Sequence, residues 1–238
     1  MSSNDYLAEY RLAGSTDLSK GIGGWFRRML DRKAVACGQR DRHALFMPRV
    51  FELSGISLKN PTTVLEVGCG SGWAISYRHP LVRYIAVDCG SLYRNELEMQ
   101  GVAFYETDVA TEPLPINEGQ VDIIILNHLI EHIKDCEFFV KQLRRVLRLG
   151  GCVFVRTPNL ECVKWRFWED YTHVKPFTPR ALDHLMRTVG FKRSFMLKSD
   201  HPRILLDIIT NGAFRPILFG KLFGGKEIEA GYVLITKK

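Results

Sequence analysis

The sequence predicts an α/β fold built on a doubly wound, mostly parallel sheet, with a helical extension before it. From residue 61 onward, short apolar runs rich in Val and Ile alternate with amphipathic segments, a pattern typical of parallel strands covered by helices on both faces. A glycine-rich turn follows the first of these runs. Residues 1–60 lack strand alternation and are predicted to be helical, so we expect the sheet domain to comprise residues 61–238.

The composition is that of an ordinary globular protein. The 238 residues are 46% hydrophobic and 25% charged, which excludes a disordered, collagen-like or coiled-coil chain. The formal charge of +7 is modest for this length and selects no partner by itself. Basic side chains cluster in the N-terminal segment, which is typical of a solvated helical face and would also suit a phosphate-bearing substrate. They are Arg27, Arg28, Arg32, Lys33, Arg40, Arg42 and Arg49.

The sequence favours a cytoplasmic protein. The six cysteines contain no C-x-x-C pair, which favours a reducing compartment. The first residues lack a charged-then-apolar signal pattern. The longest apolar run, residues 121–130, is too short to cross a bilayer.

Strands and helices alternate along the predicted sheet domain. Residues 44–56 form an apolar-periodic helical stretch ahead of it. The apolar runs predict strands at residues 62–67, 82–88, 102–108, 121–127 and 151–157, and two closing strands at residues 191–197 and 231–236.

End signals place two helices between these strands. Asp135 is the predicted N-cap of one helix, which carries arginines, Arg148 among them, near its C-terminus and stops at Gly150. Thr178 and Pro179 give the second helix an N-cap and a proline at its first position, and Gly190 ends it.

The most informative motif lies at the end of the first predicted strand. Glu66 precedes Gly68, Gly70 and Gly72, and glycines at such a turn let the backbone approach a ligand closely. Dinucleotide sites need G-x-G-x-x-G, whereas Trp73 stands where the third glycine of that motif would fall. A tight strand-to-helix turn without a ligand is the alternative interpretation of the glycines.

A second acid stands at the end of the next strand. Asp88 follows Gly68 by 20 residues, where a carboxylate can accept hydrogen bonds from ribose hydroxyls. At these motifs, residues 61–238 resemble the class I S-adenosylmethionine-dependent methyltransferases.

The resemblance implies a Rossmann-like sheet of about seven strands, mostly parallel with the last strand reversed, and S-adenosylmethionine as the cofactor. Asp108 and Val109 follow the third strand. By the same resemblance, this is the position at which the family contacts the edge of the adenine base. Asn127 ends the fourth strand in the cofactor cleft; it could also cap the following helix, and the two roles are not exclusive.

A cluster of histidines follows the fourth strand. Read as a helix start, the spacing of His128, Glu131 and His132 places all three side chains on one face. The order H-x-x-E-H matches inverted zincin proteases, but the preceding strand and glycine loop argue against a protease. The Glu131-His132 pair resembles the Glu-His methyltransferases that act on oxygens of quinones and sugars.

The resemblance leaves two roles open for these residues. Related enzymes of quinone biosynthesis and of RNA ribose methylation hold a divalent ion with E-x-x-E-H, and here His128 replaces the first Glu while His173 resembles a fourth ligand. Such a set would suit Zn, Fe or Mn better than Mg. We favour His132 or His173 as a general base, with Glu131 beside them, over the metal site; a hydrogen-bonded wall histidine is the structural alternative.

Two segments are unusually apolar. Residues 159–177 carry Trp165, Trp168 and Tyr171 and are predicted to be a lid or substrate-binding insertion, with a flap over the core as the alternative. Residues 201–227 form a hydrophobic C-terminal insertion that could cover the core, contact another subunit or rest on a membrane surface.

We therefore predict a methyltransferase that acts on an oxygen of a small or lipid-linked metabolite such as a sugar. A metal-dependent RNA ribose 2′-O-methyltransferase and an inactive cofactor-binding scaffold are the alternatives. Nucleic acid is the less favoured partner because no RNA-binding module is recognisable. Peripheral contact with a membrane is compatible with the sequence, and no oligomeric state is predicted.

Overall fold

A computed structural model of the chain describes Arg32, residues 47–199 and residues 225–235. Of the predicted N-terminal extension, it describes the helix α1, Met47–Ser54, which lies within the expected stretch 44–56. Most of the predicted hydrophobic insertion at residues 201–227 lies outside the described residues. In the part of the chain that the structure describes, no helix is long and apolar enough to cross a membrane.

Seven strands form one mixed sheet in the order β3-β2-β1-β4-β5-β7-β6. The pairs from β3 through to β5 are parallel, whereas β7 runs antiparallel to both β5 and β6. This confirms the mostly parallel sheet with its last strand reversed. The strands are β1 Thr62–Val67, β2 Val82–Asp88, β3 Ala103–Glu106, β4 Val121–Asn127, β5 Leu147–Pro158, β6 Phe191–Ser199 and β7 Glu227–Leu234.

The described helices pack on both faces of this sheet. Asp135 Oδ1 accepts from the backbone N–H of Phe138, and Thr178 Oγ1 accepts from that of Ala181, so both predicted N-caps are confirmed. After α1, the α-helices are α2 Arg94–Glu98, α3 Cys136–Val146, α4 Leu160–Val163 and α5 Pro179–Thr188. Three 3₁₀ segments cover Ala74–Ser76, Ile130–His132 and Lys164–Glu169.

Two apolar layers fill the space between sheet and helices. On one face, α3 and α5 pack Phe139, Leu143 and Met186 against the central strands. On the other face, Phe51 of α1 and Leu97 of α2 complete a smaller layer. Because both faces of β1 and β4 are covered, these strands are continuous apolar runs, which made their bounds predictable.

Several predicted bounds were wrong because contacts with other parts of the chain set them. The helix after Asp135 ends at Val146 instead of at Gly150, because Leu147 already pairs with Val121 and Arg148 bonds to the Asp122 carboxylate. The glycine turn leads into a single 3₁₀ turn, since β2 begins soon after it at Val82.

The predicted bounds of the third and last strands were also wrong. The third strand is shorter than expected and covers Ala103–Glu106. The last begins at Glu227, four residues before the predicted start, because it pairs with β5 as far as Pro158. This earlier start brings Glu227 and Glu229 to the edge of the sheet where the parallel strands end.

Candidate active site at the carboxyl edge of the sheet

The glycine loop leaves β1 with all its glycines at positive φ: 67° at Gly68, 50° at Gly70 and 86° at Gly72. A Cβ on Gly68 would lie 2.9 Å from Leu129 Cδ1, and one on Gly72 would lie 3.0 Å from Ile75 Cβ. Side chains at these two positions would therefore be both strained and crowded. These requirements come from the turn itself, so they do not depend on a ligand.

Glu66 lies beneath this loop and is almost completely buried. Its Oε1 accepts from the backbone N–H of Trp73 at 2.9 Å, and its Oε2 accepts from those of Ala74 at 2.9 Å and Ile75 at 3.4 Å. Burial raises the pKa of the Glu66 carboxyl to about 8, although the backbone hydrogen bonds oppose that shift. Glu66 thus determines the shape of the loop from inside the protein.

Asp88 connects the end of β2 to the glycine loop. Its Oδ2 accepts from the Gly70 N–H at 2.7 Å and its Oδ1 accepts from the Gly90 N–H at 3.1 Å. Each carboxylate oxygen has a second lone pair, so this half-buried side chain retains acceptor capacity toward a ligand. The structure therefore places Asp88 against the loop.

The remaining predicted cofactor residues differ in their surroundings. Asp108 is exposed and accepts from the backbone N–H of Ala110 at 3.0 Å, as in an Asx turn. Val109 is buried in the core. At the end of β4, Asn127 Oδ1 is buried and accepts no hydrogen bond from any described residue. A buried acceptor without a donor is unusual and fits a site that receives a donor from a ligand.

His128 begins the segment after β4 in a strained conformation, with φ at 54°. Its Nδ1 lies 3.1 Å from Glu131 Oε1, and its Nε2 lies 3.5 Å from Glu227 Oε1. Desolvation alone would lower the pKa of His128, but the two carboxylates outweigh it and raise the pKa to about 9. His128 is therefore predominantly protonated at neutral pH.

Glu227 is one of the two acidic partners of His128. Desolvation would raise its pKa, yet the contacts with His128 and with the Arg156 guanidinium lower the pKa to about 2. Arg156 Nε also lies 3.6 Å from Glu229 Oε1. These charges connect β5, β7 and the segment after β4.

Glu131 is completely buried and joins three parts of the site. Its Oε2 accepts from Thr157 Oγ1 of β5 at 2.9 Å. Its backbone carbonyl accepts from the N–H groups of Val174 and Lys175, each at 2.9 Å. Glu131 therefore fixes the 3₁₀ turn that carries His132 against both the sheet and the insertion.

The structure brings His132 and His173 together, with ring centroids 4.9 Å apart. His132 Nδ1 lies 3.1 Å from the Thr172 carbonyl oxygen and 3.0 Å from Thr172 Oγ1. His173 Nδ1 lies 2.7 Å from the Phe167 carbonyl oxygen, and its ring stacks on the Phe167 ring. Sequence alone did not indicate these anchors.

Three of the four residues weighed as metal ligands gather in one cluster. Donor atoms of Glu131, His132 and His173 all lie within 4.8 Å of one another, whereas His128 is not part of this cluster. Two imidazoles and a carboxylate are donors that Zn or Mn accepts. Because both Glu131 oxygens already bond to His128 and Thr157, an ion would have to share or displace those bonds.

The predicted insertion carries both exposed and buried aromatic rings. Trp165 is 67% exposed, Trp168 is 56% exposed and Tyr171 is 75% exposed, whereas Phe167 and Phe177 are buried. The segment thus anchors itself to the core and presents aromatic rings to solvent at the same edge as His132.

The residues that the sequence did not identify are Glu227, Glu229, Arg156, Thr157, Thr172 and Asp170, whose carboxylate accepts from the Thr172 hydroxyl. Contacts between distant parts of the chain bring them to the site. A concavity of about 350 Å³ lies elsewhere, at the amino ends of β2 and β3, where it is lined by Arg78 and Gln100 among others. We place the site at the carboxyl edge because three features converge there: the loop, the histidines and the Asn127 oxygen, to which no described residue donates.

The role of Glu66 predicts the effect of an isosteric change. Glutamine offers one side-chain oxygen where the loop uses two, so Glu66→Gln leaves a backbone N–H facing an amide NH₂. We expect the free energy of unfolding to fall by about 1 to 3 kcal/mol, as measured by urea denaturation. Glu137→Gln is the matched control because Glu137 forms an exposed pair with Lys141. Equal stability of the two variants would contradict this role.

The pKa shifts of His128 and Glu227 predict a pH window. Glu227, lowered from 4.5 to about 2, contributes stability above pH 4.5 that is lost as the pH falls toward 2. His128, raised from 6.5 to about 9, contributes stability below pH 6.5 that is lost as the pH rises toward 9.

We expect the stability difference between wild type and Glu227→Gln to be largest from pH 4.5 to 6.5, in urea titrations at several pH values. The His128 side chain is 38% exposed, so solvent screening makes the effect modest. A difference that is constant from pH 3 to pH 9 would disprove the coupling.

Comparisons with known proteins identify the family of this domain. The family described as "Methyltransferase domain" matches residues 39–193. A probable S-adenosylmethionine-dependent methyltransferase of Mycolicibacterium smegmatis is 28% identical over 179 residues, covering 71% of this chain and 59% of that protein. The chain thus spans less than two thirds of that relative.

Two further comparisons cover more of the matched proteins. A ubiquinone biosynthesis O-methyltransferase of Idiomarina loihiensis is 27% identical over 183 residues, covering 74% of each chain. The crystal structure of an S-adenosylmethionine-dependent methyltransferase from Mesorhizobium loti superposes with a TM-score of 0.60 at 14% identity, over 79% of this chain and 97% of that chain. That likeness shows the shared Rossmann-like fold. From the matched residues, the chain belongs to the methyltransferase-domain family.

Proposed function

We propose that this protein transfers a methyl group from S-adenosylmethionine to a hydroxyl of a small or lipid-linked metabolite such as a sugar. The observation that carries the proposal is the convergence of two groups at one sheet edge. The glycine loop with Asp88 follows β1 and β2, and His132 follows β4, which pairs with β1. A cofactor and an acceptor can therefore meet there.

The residues present fit the cofactor. Asp88 retains lone pairs for ribose hydroxyls, and the buried Asn127 Oδ1 can accept from an ammonium group. Asp108 and Val109 follow β3 and are proposed to contact the adenine. We propose that residues 61–238 form this domain and residues 1–60 its extension.

The chemistry requires little from the protein beyond positioning. When bound, S-adenosylmethionine supplies a methyl group on a sulfonium. The methyl group would be transferred by in-line displacement, with the sulfur as the leaving group. The site must align the acceptor oxygen with that methyl and accept the hydroxyl proton, because attack by a neutral hydroxyl would otherwise give a high-energy oxonium product. His132 is proposed as that base, with His173 and Glu131 shaping its surroundings.

The acceptor class is supported by two observations. The I. loihiensis relative is named as an O-methyltransferase, which favours oxygen as the nucleophile. The exposed rings of Trp165, Trp168 and Tyr171 belong to the same insertion as His173 and would stack on a sugar or contact a lipid chain. Aromatic and basic side chains also suit an anionic membrane surface, so peripheral contact with a membrane is part of this proposal.

A second function is favoured by the cluster of Glu131, His132 and His173. These donors could hold a divalent ion that grips two hydroxyls of a ribose, as a metal-dependent RNA 2′-O-methyltransferase would require. A chelator distinguishes the two functions, because it would abolish turnover only in the metal-dependent enzyme. An inactive scaffold would bind the cofactor and release no S-adenosylhomocysteine.

Cofactor binding should depend on Asp88. Asp88→Ala removes the carboxylate that contacts the glycine loop and would accept from the ribose. We expect it to weaken S-adenosylmethionine binding by about 1.5 to 3 kcal/mol, measured by calorimetry. Glu118→Ala is the matched control, since Glu118 precedes the amino end of β4. Unchanged affinity in Asp88→Ala would remove the cofactor assignment.

Turnover should depend on His132. His132→Ala is expected to keep its affinity for S-adenosylmethionine and to lose activity by a factor of roughly 100 to 10,000, as for a deleted general base. S-adenosylhomocysteine release is measured with three acceptors, namely 3,4-dihydroxybenzoate, methyl α-glucoside and 2-mercaptoethanol, with and without EDTA. Thr188→Val, on the exposed end of α5, is the control. Normal turnover in His132→Ala would contradict the assignment of the base.

A further inference from the structure

A chain of hydrogen bonds runs from Asp170 to the His132 ring. Thr172 Oγ1 donates to Asp170 Oδ1 at 2.6 Å, and the Thr172 N–H donates to the same oxygen at 3.0 Å. On its other side, Thr172 Oγ1 lies 3.0 Å from His132 Nδ1. One carboxylate, one hydroxyl and one imidazole are therefore in series, and the first two come from the aromatic insertion.

This arrangement determines which ring nitrogen of His132 carries the proton. The Thr172 carbonyl can only accept, and the Thr172 hydroxyl hydrogen is already donated to Asp170. Nδ1 therefore faces two acceptors and must be the N–H donor, since a lone pair there would face oxygen lone pairs. The lone pair of the neutral ring then lies on Nε2, the nitrogen that a base or a ligand would use.

The insertion is held firmly enough to perform this task. The N–H groups of Val174 and Lys175 both bond to the Glu131 carbonyl, next to His132 in the chain. His173 Nδ1 bonds to the Phe167 carbonyl, and Phe167 is buried. Thr172 is thus fixed relative to His132 from both sides.

We propose that Asp170 and Thr172 are positioning residues that hold His132 in the Nδ1–H tautomer, so that Nε2 is free to take the acceptor's proton. This inference rests on the proposed function of His132 as a base. In the transfer, the acceptor O–H proton moves to Nε2, the methyl–sulfur bond breaks as the methyl–oxygen bond forms, and S-adenosylhomocysteine leaves. The Asp170 carboxylate stabilises the resulting imidazolium through the Thr172 hydroxyl.

The direct test is the ¹⁵N spectrum of the histidine rings, with the His132 signals assigned by their loss in His132→Ala. We expect wild type to show a protonated Nδ1 and an unprotonated Nε2 for His132 above neutral pH. In Thr172→Val we expect part of the population to move to the Nε2–H tautomer, while Thr172→Ser retains the wild-type spectrum. This measurement needs no methyl-acceptor substrate. An Nε2–H tautomer of His132 in wild type would overturn the inference.

Turnover provides the second readout, with the fastest of the three acceptors named above. Thr172→Val and Asp170→Asn should lower kcat about tenfold or more, which is less than the loss expected when the base itself is removed. Both variants should leave the affinity for S-adenosylmethionine unchanged. Thr172→Ser should restore the rate, and Thr188→Val is the matched control.

The two proposals fail in different ways. Loss of turnover in His132→Ala together with a normal rate in Thr172→Val and Asp170→Asn would overturn the positioning role alone. Normal turnover in His132→Ala would overturn the base itself. If Thr172→Val does not fold, the tautomer in wild type and the rates of Asp170→Asn and Thr172→Ser decide the question.

Discussion

The organisation of the acceptor side depends on the buried Glu131. Its carboxylate accepts from Thr157 of β5 and lies 3.1 Å from His128, and its carbonyl accepts from two backbone N–H groups of the insertion. One residue therefore holds the sheet edge, the turn after β4 and the aromatic segment together. An unpaired carboxylate in this position would be costly, so these bonds are mutually required.

On the cofactor side, acidic residues also hold a loop by accepting hydrogen bonds from its backbone. Glu66 accepts from backbone N–H groups of the loop from below, and Asp88 accepts from the Gly70 N–H from the side. Acidic side chains thus shape both halves of the site through backbone contacts. Asn127 Oδ1, at the end of β4, accepts no hydrogen bond from any described residue. The segment that carries His132 begins directly after it.

The fold was predictable where local sequence dictates structure. The central strands are long apolar runs buried on both faces, and the caps at Asp135 and Thr178 are signals within one turn, so each was located correctly. The start of β7 was not predictable, because its pairing with β5 sets it.

In the site, too, local motifs were predictable and contacts between distant segments were not. Gly68 and Asp88 were predicted as cofactor residues from a motif that can be recognised in the sequence itself. Thr172 and Asp170 were missed because their importance depends on contact with His132, 40 residues away from Thr172. Glu227 was missed because it lies 71 residues from its partner Arg156. Such partners can be recognised only once the sheet and the insertion are assembled.

We propose that one sheet edge binds the cofactor and presents His132 to the acceptor. A crystal structure with S-adenosylhomocysteine would show both features at once. We predict that the ribose hydroxyls bond to Asp88 and that the sulfur faces a cavity lined by His132 Nε2. A ligand bound away from the glycine loop, or a His132 ring turned away from the sulfur, would show that this edge is not the active site.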